Sequence, residues 1–208
     1  MAGKRELNKQ KKYYDFISAA SRLFEEKGVE HTKVSEIAEK VATGSKTLHR
    51  YFATKNTLIL AILIEDDIMS LKRLELRLKK LPDHPVDKVV EMLSVYVDYG
   101  SIIKNVSVWR EYESVRILEY NNQLNKEDST KLRLSIIDLI KSVLMQCCKE
   151  GKLNASTNID NVTTSLHAIA LLNYHRTLRE EFCTEKDALD ALYCGVSFAL
   201  KPYISESN

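Results

Sequence analysis

The sequence predicts an all-α protein in two parts, with a small three-helix domain over residues 1–56 and a larger helical domain over residues 57–208. Glycine and proline together make up only nine of the 208 residues, about 4% where average proteins carry roughly 12%. So few turn-forming residues disfavour a many-stranded sandwich or barrel. Apolar residues also recur at three- and four-residue spacing along the whole chain, which is typical of amphipathic helices. About nine helices are predicted in total.

The composition is that of a globular cytoplasmic protein. Hydrophobic residues are 44% of the chain and charged residues 29%, which differs from the apolar-poor composition of disordered chains. No apolar run reaches the length of a membrane span, and no apolar stretch follows the basic N-terminus as in a signal peptide. The four cysteines show no paired spacing, which favours reduced thiols over a disulfide framework.

The first domain begins with an amphipathic helix over residues 9–27. Tyr13, Ile17, Ala20 and Phe24 form its apolar stripe, and Gly28 follows where a C-terminal cap is expected.

Two short helices come next. Thr32 is predicted to be the N-cap of the second helix, which ends near Val41. After a break at residues 42–44, the third helix covers residues 45–52 with Leu48 and Phe52 as its apolar anchors.

A long fourth helix follows and ends before Pro82 and Pro85, which mark the clearest boundary in the chain. Five further helices are predicted over 86–103, 108–122, 126–150, 159–181 and 185–200. The last two carry a wide stripe of small and aliphatic residues. Periodicity alone leaves open whether this stripe belongs to the core of a monomer or to a dimer interface.

Charge is distributed unevenly. Residues 1–60 contain 12 basic and 7 acidic residues, a net charge of +5, whereas the remainder carries −3. This asymmetry indicates either an N-terminal end that meets a polyanion or an ordinary solvated surface. The basic stretch at residues 4–12 is accordingly either a disordered tail or an arm that follows DNA phosphates.

The second and third predicted helices, supported by the first, form a helix-turn-helix pattern. In such a unit the second helix enters the major groove of DNA while the first crosses the backbone. Leu48 and Phe52 would hold the reading helix on its scaffold. Its other face offers hydrogen-bonding groups from Ser45, Lys46, Thr47, His49, Arg50 and Tyr51. Phosphate contacts are expected from Thr32, Lys33, Thr43, Tyr51 and Lys55.

This region resembles the N-terminal signature of the tetracycline-repressor (TetR) family. The residues that carry the resemblance are Ala19-Ala20, Leu23-Phe24, Gly28, Thr32, Val34, Ile37-Ala38, Thr47-Leu48, Tyr51-Phe52, Lys55 and Leu58. The resemblance implies a homodimeric, all-helical transcription regulator whose larger domain binds a small ligand and dimerises through its last two helices, here about 159–181 and 185–200.

Four positions depart from the family pattern, three of them in the turn. The turn usually carries glycine, a hydrophobic residue and serine, and here it reads Ala42, Thr43 and Gly44. An alanine in this turn either avoids left-handed backbone space or is strained. The position before Arg50 is usually aromatic, and here it is His49.

A mixed group of aromatic and polar residues in the larger domain is either ordinary core or the lining of a ligand pocket. Its members are Tyr96, Trp109, Tyr112, Glu113, Arg116, Met145 and His167. The histidines and cysteines lack the tight pairing of zinc ligands, so no metal is predicted. Neither a nucleotide fingerprint nor a nucleophile elbow is found, so neither an enzyme nor a cofactor is predicted.

The sequence therefore predicts a DNA-binding transcription regulator, and a repressor is favoured over an activator. It would bind a pseudo-palindromic operator in double-stranded DNA and be released by a small-molecule effector. Two alternatives remain at this point: a helical dimeric ligand-binding protein without operator recognition, and a nucleoid-type binder without sequence preference.

Overall fold

The computed structural model describes residues 3–97, 105–119 and 123–205, with side chains from 135 onward in the last range. Over these residues the predicted all-α fold is confirmed, with nine α-helices, two short 3₁₀ turns and no strand beyond one isolated bridge between Leu153 and Ile204. The helices are α1 Lys4–Lys27, α2 Val34–Lys40, α3 Ser45–His49, α4 Lys55–Leu78, α5 Pro85–Leu93, α6 Val106–Leu118, α7 Gln123–Lys149, α8 Ile159–Leu178 and α9 Glu185–Leu200. Among them, none is long and apolar enough to span a membrane.

The chain divides into two compact units. Unit 1 comprises Met1–Asp67 and Gly100–Asp128, and unit 2 comprises Ile68–Tyr99 and Ser129–Asn208. Unit 1 thus combines α1, α2, α3 and the first part of α4 with α6. The predicted boundary at residue 56 separates a DNA-binding domain from a ligand-binding domain, and this functional division stays a prediction.

The core of unit 1 is aromatic and aliphatic. Phe16, Phe24, Ile37 and Leu58 are fully buried, and the ring of Phe24 meets that of Tyr112 on α6 edge-on at 5.9 Å. Apolar burial of this kind is what holds such short helices as α2 and α3, because isolated helices of five to seven residues are unstable in water.

Unit 2 has its own apolar core. α5, α7, α8 and α9 contribute buried aliphatic side chains to one cluster, including Val89, Ile140, Leu166, Leu192 and Val196. At one point α8 and α9 approach closely, because a Cβ atom added at Gly195 would lie 2.8 Å from the Ile169 side chain. The wide stripe on the last two helices therefore contributes in part to this core.

Several helix boundaries differ from the predicted ones. The N-cap of α2 is Lys33 and not Thr32. The Glu36 carboxylate lies 2.7 Å from the Lys27 ammonium group and accepts a hydrogen bond from the Lys33 backbone N–H, also at 2.7 Å. Lys27 first and this backbone bond second hold the pKa of Glu36 below its usual value. The third helix stops at His49 rather than Phe52.

The later boundaries shift for local reasons. Pro85 occupies the first turn of α5, where its missing N–H costs nothing. α8 ends at Leu178, and Glu180 then adopts a positive φ of 57° that breaks the helix. α1 begins at Lys4, so the basic stretch is helical and is not a disordered tail. That it follows DNA phosphates stays a prediction. The predicted helical residues 98–103 and 120–122 lie outside the described residues.

Candidate functional site

The turn between α2 and α3 is built by backbone hydrogen bonds around Ala42. The Thr43 N–H donates to the Ala38 carbonyl oxygen at 3.0 Å, and the Ala42 N–H donates to the Glu39 carbonyl oxygen at 2.9 Å. This pair of bonds forms the Schellman motif, which ends a helix with one left-handed residue. Ala42 takes that left-handed conformation, with φ at 48°. Of the two alternatives predicted for this alanine, the strained backbone is therefore the correct one.

Two apolar side chains fix α3 and the residues after it on the scaffold. Leu48 and Phe52 are 1% and 4% exposed. The Phe52 ring lies 5.3 Å from the Tyr13 ring and 6.4 Å from the Phe16 ring, both on α1. The opposite side of α3 must therefore face outward.

Most of the predicted DNA-contacting residues, on α3 and beside it, are accessible to solvent. Lys33, Lys46, His49 and Arg50 are exposed, and the partly exposed members of the set are Thr43, Ser45, Thr47 and Tyr51. The Tyr51 ring packs on the Phe16 ring at 5.3 Å between centroids, which leaves only part of it available. We call the exposed and partly exposed side chains of α3 and of the turn after it the reading surface; its members are Ser45, Lys46, Thr47, His49, Arg50 and Tyr51.

Thr32 differs from the prediction. Its side chain is 1% exposed, and its hydroxyl donates to the Gly28 carbonyl oxygen at 2.8 Å, with the Leu23 carbonyl oxygen at 3.3 Å. The hydroxyl therefore satisfies backbone at the end of α1 and does not face a phosphate.

Lys55 has a structural contact as well as a favourable position. Its Nζ atom donates to the Val29 carbonyl oxygen at 2.8 Å and ties the start of α4 to the loop after α1. An ammonium group has three donors, so two remain for other acceptors. On α1, the exposed basic residues Lys4, Arg5, Lys9 and Lys11 add positive charge to the same unit.

The predicted ligand residues of α6 belong to unit 1. Trp109 and Tyr112 are buried in its core. The Arg116 guanidinium group donates to Asp67 on α4 at 2.9 Å and lies 3.3 Å from Glu113. We call Asp67, Glu113 and Arg116 the α4–α6 ion cluster.

Burial dominates the electrostatics of this ion cluster. The side chains of Asp67, Glu113 and Arg116 are only 15%, 17% and 18% exposed. Desolvation raises the pKa of Asp67, the nearby Arg116 lowers it, and the net result is a pKa of about 6. Asp67 was not singled out in the sequence, but its position in the acidic run Glu65-Asp66-Asp67 within an apolar helix was a usable signal.

The other predicted ligand residues belong to unit 2, where two of them meet. The hydroxyl of Tyr96 lies 3.2 Å from Nε2 of His167. Met145 is 50% exposed on α7, so in this structure it lines no apolar pocket, because its position on the helix faces outward. An open cavity of about 390 Å³ in unit 2 is lined by residues such as Arg77, Glu91 and Asp190, and by none of the predicted ligand residues.

Within the described parts of the chain, no three histidine, cysteine or acidic side chains are grouped as metal ligands.

A short helix held by two buried anchors, with hydrogen-bonding side chains outward and a second helix packed before it, defines a helix-turn-helix DNA-binding protein. Comparison with known families agrees, since residues 16–62 match the model for bacterial regulatory proteins of the tetR family. Residues 16–62 are thus a DNA-binding domain of the tetR type, and the function shown for the chain is DNA-binding transcriptional regulation.

Solved structures share the fold over nearly the whole chain. A transcriptional regulator from Saccharomonospora viridis in complex with choline is 14% identical, with a TM-score of 0.72 over 95% of this chain and 100% of that one. A TetR/AcrR-family regulator from Thermobifida fusca is 17% identical, with a TM-score of 0.68 over 88% and 95%. The SmeT–triclosan complex is 17% identical, with a TM-score of 0.63 over 94% and 93%. No curated protein matches the sequence significantly.

Proposed function

We propose that this regulator is a cytoplasmic homodimeric repressor that a small molecule releases from a pseudo-palindromic operator. The observation that carries the DNA-binding part is the reading surface, where Lys46, His49 and Arg50 project from a helix anchored by Leu48 and Phe52. Arginine pairs well with a guanine edge, and lysine with guanine or phosphate.

The contacts divide by chemistry. We assign base contacts to the residues of α3 and the turn after it, namely Ser45, Lys46, Thr47, His49, Arg50 and Tyr51. Phosphate contacts are assigned to Lys33, Thr43 and Lys55, with Thr32 acting through the backbone it supports. Each phosphate neutralised should add about 0.9 to the slope of log affinity against log salt.

Dimerisation is proposed through α8 and α9. Both helices expose apolar side chains on their outer faces, with Leu172 at 59% and Phe198 at 83% exposure. Ala168 and Cys194 are exposed on the same helices at one-turn spacing from these two. Helix-turn-helix dimers bind half-sites about 34–36 Å apart, and we expect this spacing for the operator of the homodimer.

Ligand control is proposed from the larger domain. Similar folds are seen in a regulator bound to choline and in SmeT bound to triclosan, which supports a small-molecule effector for this chain. Of the residues predicted from the sequence, we keep Tyr96 and His167 of unit 2 as candidates for its site, with Met145 as the least supported. Trp109, Tyr112, Glu113 and Arg116 belong to the core and the ion cluster of unit 1. The ligand would favour a dimer geometry in which the two reading helices misfit the grooves, which requires unequal affinity for the two states.

Selection from a random pool of DNA duplexes, followed by affinity measurement, tests the proposal. The wild-type protein should enrich a palindrome. Lys46→Ala and Arg50→Ala should each weaken binding to it by about 1–3 kcal/mol, measured by fluorescence anisotropy at fixed salt. Lys149→Ala, which removes an exposed lysine at the end of α7, is the matched control and should bind normally. Wild-type affinity in both α3 variants would contradict the assignment of the reading helix.

A further inference from the structure

One face of α8 carries a row of polar side chains into the apolar part of unit 2. Thr163, His167 and Tyr174 are spaced four and seven residues apart, so they share a helix face. Thr163 is 1% exposed and His167 is 9% exposed. The neighbouring α8 residues Leu166 and Ala170 are fully buried members of the hydrophobic core.

Tyr96, in the 3₁₀ turn Ser94–Tyr96, completes the row. Its hydroxyl lies 3.2 Å from His167 Nε2. Its ring meets the rings of His167 and Tyr174 at 6.1 and 6.4 Å between centroids. We call Tyr96, Thr163 and His167 the polar triad.

Thr163 is the unusual member of the triad, because among the described residues its buried hydroxyl has no hydrogen-bond partner. Other hydroxyls of the same helix behave differently. Thr164, Ser165 and Thr177 each donate to the carbonyl oxygen four residues earlier, at 2.9, 3.0 and 2.8 Å. A buried hydroxyl without a partner is destabilising, and a bound ligand that supplies the missing partner would account for it.

The chemistry of the triad indicates what that partner is. A threonine hydroxyl, a phenol and an imidazole all donate hydrogen bonds, and none of the three carries a negative charge. A buried organic cation would therefore be left without a counter-charge, which is costly. A carbonyl oxygen, by contrast, accepts from the Thr163 hydroxyl and from either member of the Tyr96–His167 pair. Of the three groups the imidazole alone can take a positive charge, and in that form it would supply the counter-charge of a carboxylate.

We propose that the polar triad is the recognition end of the effector site and that it binds an otherwise apolar molecule through a carbonyl oxygen of a ketone or a carboxylic acid. This inference rests on the proposed ligand-controlled function and names the chemical class of the ligand. It also predicts that the hydroxyl of Thr163 lowers stability while serving binding.

The test uses the full-length protein and the variants Thr163→Val and Thr177→Val. Both replace a buried α8 threonine by its near-isostere. Within the described part of the chain the Thr177 hydroxyl has an acceptor and the Thr163 hydroxyl has none. The probes are 2-octanone and octanoic acid, with octylamine as a cation of matched chain length. Binding is measured by isothermal titration calorimetry, and melting temperature by calorimetric scanning without probe.

Wild type is expected to bind 2-octanone, octanoic acid or both, and not octylamine. Which of the two oxygen probes binds more tightly distinguishes a ketone from a carboxylate ligand. Thr163→Val should melt about 2–4 °C higher than wild type and bind the oxygen probes at least about tenfold more weakly, as expected for one lost hydrogen bond. Thr177→Val should melt no higher than wild type and keep the wild-type affinity.

A second variant tests whether weaker binding comes from the loss of a triad hydrogen bond or from a general effect of mutation. Tyr96→Phe removes the phenol that pairs with His167 and should also weaken binding of the oxygen probes. The inference is overturned if wild type binds neither oxygen probe at millimolar concentration, if it binds octylamine as well, or if Thr163→Val retains wild-type affinity. Failure of the proposed regulator function would show itself separately, as loss of operator binding by the wild-type protein without any probe.

Discussion

Ala42 shows how one residue stores strain at the entrance to the reading helix. It is a non-glycine residue in left-handed backbone space, with φ at 48°, and it closes the hydrogen bonds that turn α2 into α3. The Cβ atom makes this conformation unfavourable by about 1–2 kcal/mol. The turn is thus held by the packing of Ile37 and Leu48 on either side of it.

Replacing Ala42 by glycine should relieve this strain. We expect Ala42→Gly to raise the free energy of unfolding by about 1 kcal/mol, measured by urea denaturation followed by circular dichroism. Ala53→Gly is the control, because Ala53 is exposed and does not have a positive φ, so glycine there should lower stability slightly. An equal change in both variants would mean that the turn is unstrained.

At the scale of elements, α6 is held against the other helices of unit 1 by several polar contacts. The Asn105 backbone N–H before α6 donates to Glu25 on α1 at 3.2 Å, and Asn56 on α4 donates to Glu119 at 3.1 Å. The α4–α6 ion cluster adds a buried charged contact to these. Removing one member of such a cluster leaves the others buried without compensation, which is more costly than the net value of the pair.

The ion cluster gives a pH dependence with a defined sign. Burial raises the pKa of Asp67 from 3.8 to about 6 in the folded protein, so between these values the folded state holds a proton that the unfolded state has lost. Stability from this group is therefore full below about pH 4 and is lost as pH rises through 6. Over that window the free energy of unfolding of wild type should fall by about 3 kcal/mol relative to Asp67→Asn.

Urea denaturation of both proteins at pH 4, 5, 6 and 7 measures this difference. Asp15→Asn, at an exposed position of α1 in the same unit, is the control and should follow the wild-type profile. Parallel profiles for wild type and Asp67→Asn would show that the Asp67 carboxyl ionises normally in the folded state.

At the scale of the whole molecule, the proposed function depends on two copies acting together. The outer faces of α8 and α9 expose apolar side chains. Contact of these side chains with water is unfavourable, and a partner surface that covers them would remove it. A single reading surface touches one half-site, and two linked by a stable interface gain the effective concentration of an intramolecular contact.

A charge at the proposed interface should therefore disrupt both assembly and DNA binding. We expect Phe198→Glu to shift the protein to a monomer in analytical ultracentrifugation and to weaken operator binding at least about tenfold, because a twofold interface loses the buried phenylalanine twice. Leu76→Glu alters another exposed apolar residue, 64% exposed on α4, and should leave both measurements unchanged. A monomeric wild type, or a Phe198→Glu variant that stays dimeric, would contradict this interface.

Periodicity and the helix-turn-helix spacing were enough to predict the helical class, the order of the nine helices and the outward position of Lys46, His49 and Arg50. These features follow from local rules, because side chains three and four residues apart share a helix face whatever surrounds the helix. The C-terminal end of α3 and the N-cap of α2 were predicted wrongly. Lys33 is the N-cap of α2, because the Thr32 hydroxyl donates to the Gly28 carbonyl oxygen instead.

Tertiary packing alone decided what the polar residues away from the reading surface do. It placed Thr32 inside, joined Asp67 to Arg116 and brought the Tyr96 hydroxyl to His167. It also left the Thr163 hydroxyl buried with no partner among the residues that the structure describes. Each of these outcomes depends on contacts between residues far apart in the chain, or on the exclusion of water by several helices at once. Burial and pairing of that kind have no periodic signature, and so they cannot be read from residue order.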